Sequence, residues 1–191
     1  MTYIIGIAGT SGVGKSTTAD ILKSELGMPE FTLSLPVKSA CAAALGVSLQ
    51  YFLTLNKTTH LSMPGCTVRE FMQRMGDLLI FQNPHALITA CGTRIAQHQK
   101  EHPETVGIII SDLRTEAECQ WCRNIGGVVF HIKSNVTPTH PHRRTETPPQ
   151  VWVGDTIINN TADRDELHQE VLQIADQIKL LTVPEPCLQT A

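Results

Sequence analysis

The chain has 191 residues, 41% hydrophobic and 17% charged, with a formal charge of −3, the composition of one well-packed globular domain. The acidic balance excludes the basic footprint of a duplex nucleic-acid binder. Its apolar runs fall far short of a membrane span, and residues 1–8 lack the basic start of a secretory leader.

Tyr3–Ala8 is almost unbroken apolar sequence, as a strand buried on both faces of a parallel sheet requires. Lys15–Leu26 follows as a helix, with Ala19, Leu22 and Leu26 on one stripe and Gly27 as its stop. Phe31–Leu35 reads as a second strand, and Pro36 opens an alanine-rich helix that ends at Gly46. From Val47 to Pro103 the pattern is helical throughout. Thr67 with Glu70 forms a capping box, and Asn83-Pro84 supplies the next N-cap and first-turn proline. Val106–Ile110 returns to buried strand, Thr115 with Glu118 caps another helix, and Gly126-Gly127 ends it.

Val128–Ile132 is strand again. Residues 133–150 then lose all apolar periodicity and carry Pro138, Pro141, Pro148 and Pro149, which predicts a loop or flap. Thr156–Ile158 reads as the last strand, and Leu167, Val171, Ile174, Ile178 and Leu181 form the seam of a final helix. Strands alternating with helices predict an α/β fold with a parallel sheet flanked by helices. The long helical stretch between the second and third strands reads as an insertion over one end of that sheet.

Gly9-Thr10-Ser11-Gly12-Val13-Gly14-Lys15-Ser16 satisfies G-x-x-x-x-G-K-[ST] between a predicted strand and a predicted helix. Glycines let the backbone curl so that successive N–H groups point at anionic oxygens, and the helix start adds its partial positive charge. Lys15 is expected to reach the β- and γ-phosphates of ATP, and Ser16 to ligate Mg²⁺, with Thr17 completing the loop. No glycine stands at Thr17, so the dinucleotide fingerprint fails.

Asn56-Lys57-Thr58-Thr59 begins like a guanine-reading motif but lacks its aspartate. After "GIIIS" stand Asp112-Leu113-Arg114. At the carboxyl end of a parallel strand they face the crevice of the phosphate loop. Asp112 suits Mg²⁺ and its waters, or a proton from an attacking oxygen; Arg114 suits a bidentate phosphate contact.

With these residues in place the sequence resembles the bacteriophage deoxynucleoside monophosphate kinases, within the wider P-loop nucleoside monophosphate kinase group. The resemblance rests on "GTSGVGKSTTADIL", "LSLPVKSA", "TVREFMQRMGDLLI", "SDLRTEAECQWCRNIGGVVFHI" and "IINNTADRDELHQEV", in order over most of residues 4–172. It implies one P-loop kinase domain over 1–191: a core of 1–35 and 104–182, a helical acceptor-binding insertion of 36–103, and a lid of 133–150. The implied reaction moves the ATP γ-phosphoryl group, with Mg²⁺, to a deoxynucleoside 5′-monophosphate. The compact segment 47–66 replaces a longer insertion of some members and leaves base selectivity open. The resemblance also implies a cytoplasmic enzyme, in the host cytoplasm if phage-encoded, with no membrane or nucleic-acid polymer as partner and compatible with a homodimer.

An acceptor that is itself a phosphate dianion needs extra cations, and Lys38, Arg69, Arg74 and Arg114 are candidates. Arg69 and Gln73 share one helical face beside Arg74, while Phe71, Met72, Met75 and Leu79 form the expected buried stripe. Lys38 sits in a first helical turn, unfavourable for a cation unless an anionic ligand is near. Arg143 and Arg144 are placed in the lid as cations acting on closure. Asn159 and Asn160 match the place where related kinases contact adenine, or cap the final helix.

The six cysteines, Cys41, Cys66, Cys91, Cys119, Cys122 and Cys187, are scattered, so reduced thiols are expected. Cys119 and Cys122 with His140 and His142 miss zinc-finger spacing and read as ordinary side chains. Two other functions stay open at this level: a P-loop kinase of another small acceptor, such as dephospho-coenzyme A, and a non-catalytic ATP-binding switch protein.

Overall fold

A computed structural model of the chain describes residues 2–134, 147–160 and 164–182. It divides into two compact units: Met1–Phe31 with His102–Ala191, and Thr32–Glu101.

The first unit is built on five parallel strands: β1 (Tyr3–Ala8), β2 (Glu30–Phe31), β5 (Gly107–Leu113), β6 (Val128–Ser134) and β7 (Thr156–Asn160), in the order β2-β5-β1-β6-β7. β1 is central, with β5 and β6 on either side, so its carboxyl end opens where the strand order reverses. Open α/β sheets bind ligands there. Alternation along β1 separates two faces. Ile5 and Ile7 join Ala19, Ile21 and Leu22 of α1 (Lys15–Leu26) and Leu167, Val171, Ala175 and Ile178 of α7 (Arg164–Thr182) in one buried cluster. On the opposite face, a Cβ on Gly6 would stand 2.6 Å from Cys122 Sγ and 2.5 Å from Leu113 Cδ1. Only glycine therefore lets α6 (Glu116–Asn124) lie this close to the sheet.

The second unit is helical: α2 (Leu35–Ala44), α3 (Leu49–Thr54), α4 (Val68–Gln82) and α5 (Ala86–Glu101). Cys41, Phe52, Val68, Leu87, Cys91 and Ile95 are buried in it, and Arg94 Nη1 donates to Thr32 O at 3.0 Å.

Both capping boxes form as read. Thr67 accepts from Glu70 N and Thr115 from Glu118 N, each glutamate answering to its N-cap backbone. Several boundaries differ. β2 has two residues, and Leu35 already belongs to α2, because edge pairing reaches only Ile109 and Ile110. Residues 47–103 are not helical throughout: β3 (His60–Leu61) and β4 (Cys66–Thr67) form an antiparallel hairpin around Pro64-Gly65. Asn83 is the C-cap of α4, its Oδ1 accepting from His85 N at 2.9 Å, and α5 begins only at Ala86.

β5 runs on through Asp112 and Leu113, since Leu113 pairs with Ala8; β7 runs on through Asn159 and Asn160, which pair with Lys133 and Ser134. The α4 stripe is half-buried rather than buried at Phe71, Met72, Met75 and Leu79, and only Val68 and Gly76 are buried on that helix. Among the described residues no helix is long and apolar enough to cross a membrane.

Candidate functional site

The phosphate loop leaves β1 at Gly9 and enters α1 at Lys15. Its curl needs left-handed backbone at Gly14, φ +105°, where an L side chain is strained. Lys15 is buried at 8% exposure, and its Nζ donates to Gly9 O at 2.7 Å and to Thr10 O. Gly9 N in turn donates to Leu113 O at 3.3 Å. The ammonium is thus held among the loop's own carbonyls. Ser11 is half-buried, Val13 is in the core, and Ser16 is exposed beside half-buried Thr17 in the first turn of α1. A Cβ on Gly12 would meet nothing within 4 Å, so the loop's rim is open.

Asn160 Nδ2 donates to Val13 O at 2.9 Å. Both Asn159 and Asn160 stand inside β7 rather than after it, and Asn160 braces the phosphate loop from that edge strand. Asn159 is exposed.

Asp112 is half-buried at the penultimate position of β5, one residue before the partner of Ala8, and half-buried Arg114 follows the strand. The Arg114 backbone is fixed by Glu118, a residue read from the sequence only as a cap. Glu118 Oε2 accepts from Arg114 N at 2.7 Å and Thr115 N at 2.9 Å. Burial pushes the Glu118 carboxyl above the usual range; those two N–H bonds pull it back, and the neighbouring Asp112 charge pushes it further up.

A cleft of about 400 Å³ borders the loop, lined by Gly9, Thr10 and Val13 of the loop together with His131, Pro148, Pro149, Val151 and Asn159. That size falls within the range of small-molecule sites. Pro148, Pro149 and Val151 had no signal in the sequence beyond their place in a proline-rich stretch.

Arg143, Arg144, His140 and His142 lie outside the described residues, as does most of the expected lid. Lys38 stands in α2, and Arg69, Gln73 and Arg74 in α4; Lys38, Arg69 and Gln73 are half-buried and Arg74 is exposed. Cys119 and Cys122 are fully buried, and burial pushes the Cys119 thiol up to about 12, the state of an inert core thiol. Among the described residues no group of three or more His, Cys, Asp and Glu could hold a metal ion. The Ser16 hydroxyl and Asp112 carboxylate are instead hard oxygen donors. They suit Mg²⁺, which takes one or two protein ligands and completes its shell with phosphates and water.

Residues 47–171 match the family model described as deoxynucleotide monophosphate kinase. A protein of Acanthamoeba polyphaga mimivirus, whose name proposes deoxynucleotide monophosphate kinase activity, is 22% identical over 186 residues, 91% of this chain and 96% of its own length. Among solved structures, a proposed kinase of Chloroflexus aurantiacus superposes with TM-score 0.52 at 13% identity, covering 94% of this chain and 97% of its own. Dephospho-CoA kinase from Campylobacter jejuni gives TM-score 0.50 at 16% identity, over 96% of this chain and all of its own. These likenesses show the fold, a P-loop kinase sheet with flanking helices. By the match over 47–171, the chain belongs to the deoxynucleotide monophosphate kinase family.

Proposed function

We propose that the chain transfers the γ-phosphoryl group of ATP to the 5′-phosphate of a deoxynucleoside monophosphate, giving ADP and the diphosphate. The observation that carries this reading is the family match over residues 47–171. It is made by a chain whose central strand ends in a lysine-bearing phosphate loop.

Phosphoryl transfer asks a protein for positioning and charge neutralisation rather than for a nucleophile of its own. Residues Thr10 to Thr17 present backbone N–H groups to the donor phosphates, while Gly9 makes the turn with its own N–H on Leu113 O. The Lys15 ammonium, held on the Gly9 and Thr10 carbonyls, supplies the positive charge beside them. Ser16 and Asp112 would hold Mg²⁺, which, when bound, neutralises phosphate charge and fixes the oxygens for in-line displacement. Arg114 clamps an equatorial or acceptor phosphate oxygen, its backbone held in place by Glu118. Lys38, Arg69, Gln73 and Arg74, from the helical unit, bind the acceptor's phosphate. Asn159 serves the donor base, while Asn160, its amide engaged on Val13 O, acts through the loop it braces. Arg143 and Arg144 contribute charge to the transition state from the lid.

A coupled ADP-release assay against each common deoxynucleoside monophosphate, dephospho-coenzyme A and no acceptor tests the reading. Turnover with at least one deoxynucleotide, above the acceptor-free rate, is expected. Turnover with dephospho-coenzyme A and with no deoxynucleotide would overturn it, and ATP binding without any transfer would make the chain a switch.

A further inference from the structure

β6 and β7 are parallel neighbours, and parallel neighbours are ordinarily joined by a crossover helix that satisfies its own backbone. Here the described part of the connection, residues 147–155, contains no helix. Such a strap needs outside partners for its polar groups. Arg123 and Glu116 of α6 supply them, anchored by Asp155 at the end of the strap. The Asp155 carboxylate is 3% exposed and accepts four bonds: Arg123 Nε at 3.2 Å, Arg123 Nη2 at 2.7 Å, His131 Nε2 at 2.9 Å and Trp152 N at 2.8 Å. Three of these bonds converge on Oδ2 and one on Oδ1, so the buried charge is well compensated.

Arg123, on α6, extends the clamp. Its Nη2 donates to Gln150 O at 3.1 Å, its Nη1 to Glu116 Oε1 at 3.0 Å, and its guanidinium lies 5.3 Å from the Trp152 ring centre. Glu116 Oε2 accepts from Gln150 N at 2.8 Å, closing the circuit. α6, β6 and the strap are tied together at a buried charge. The residues so fixed, His131, Pro148, Pro149 and Val151, line the same cleft as Gly9, Thr10 and Val13 of the phosphate loop.

We propose that Asp155, with Arg123 and Glu116, is a positioning centre for the donor nucleotide. By clamping the strap it sets the distance between the Pro148–Val151 wall and the loop, and hence grips the nucleoside half of the donor, leaving the phosphate half to the loop. This rests on the nucleotide-binding reading above. Asp155→Asn keeps the shape but must turn an N–H₂ toward one of the four donors, which loosens the strap without touching Gly9 to Thr17.

The test uses the full chain and two probes, ADP and inorganic tripolyphosphate, measured by calorimetry. In Asp155→Asn the Kd for ADP should rise about tenfold, a difference of ~1.4 kcal/mol, while that for tripolyphosphate stays within about twofold. Steady-state KM for ATP should rise with kcat little changed. Should Asp155→Asn not fold, Glu116→Gln decides: its carboxylate is 42% exposed, and a rise of about threefold for ADP alone is expected. ADP affinity unchanged in the folded variants, or equal losses for both probes, would overturn the positioning role. A wild-type chain that binds neither probe would overturn the nucleotide reading with it.

Discussion

Gly14→Ala tests how tightly the phosphate loop is held by its surroundings. Gly14 has φ +105°, and a non-glycine residue in such backbone costs on the order of 1–3 kcal/mol. The added Cβ would stand 2.8 Å from Asn160 Nδ2 and 3.2 Å from Leu167 Cδ2. Asn160 must then move and give up its bond to Val13 O, worth about 0.5–1.5 kcal/mol net. Together these come to about 1.5–4.5 kcal/mol, or roughly 3–18 °C in Tm for a chain of this size. Differential scanning calorimetry of Gly14→Ala, Asn160→Ala and the double variant measures it. The double variant removes the clash, so its loss should fall short of the sum by about 1 kcal/mol. A Gly14→Ala chain that melts at the wild-type temperature, or strict additivity in the cycle, would refute the idea that strand β7 braces the loop.

Lys15→Ala should cut transfer by about 10²–10³ with far-ultraviolet circular dichroism unchanged; near-wild-type turnover would remove the loop from the reaction. Asp112→Asn and Arg114→Ala should each lower kcat/KM by more than about tenfold, ~1.4 kcal/mol, and smaller losses in steady-state assays would reduce both to structural roles. Glu118→Gln gives a pH signature. Burial raises the folded carboxyl, so its contribution to stability is fully present below the ordinary value near pH ~4.3 and is lost as pH rises through the raised value. Urea unfolding across that window should show wild type losing stability relative to Glu118→Gln as pH rises; a difference moving the other way would contradict the burial.

The parts of the fold that were legible in the sequence are those decided locally or by long apolar runs. Tyr3–Ala8 could be nothing but a buried strand, and the Thr67–Glu70 and Thr115–Glu118 boxes are complete within four residues. The β3–β4 hairpin was hidden because two-residue strands carry no period, and only Pro64-Gly65 marked its turn. Strand ends were hidden for another reason. Asp112, Asn159 and Asn160 are poor strand formers that adopt strand because Ala8, Lys133 and Ser134 stand beside their neighbours or themselves in the sheet. The α4 pattern gave the apolar stripe but not what covers it, and Leu78 and Phe81 remain 54% and 83% exposed. Asp155 was illegible for a third reason: its partners come from Arg123 and His131, 32 and 24 residues away, and only the folded sheet brings them together.

The phosphate loop shows why a motif this short can be read with ease and still depend on the whole fold. Its glycines give the curl but also leave the unfolded loop with more conformational freedom than any other residue type would. Rigidity has to be supplied by bonds across the loop and from its neighbours in the sheet. Four bonds from three elements supply it: Lys15 of α1 donates to the carbonyls of Gly9 and Thr10, Leu113 O of β5 accepts from Gly9 N, and Asn160 of β7 donates to Val13 O. β5 and β7 lie on opposite sides of β1 in the strand order. The loop is therefore stayed from both flanks of the sheet as well as from its own helix, and backbone donors that must face developing charge cost little to reorganise when held in advance. A sequence that kept G-x-x-x-x-G-K-[ST] but lost the Asn160 side chain would keep the motif and lose the stay on its β7 flank.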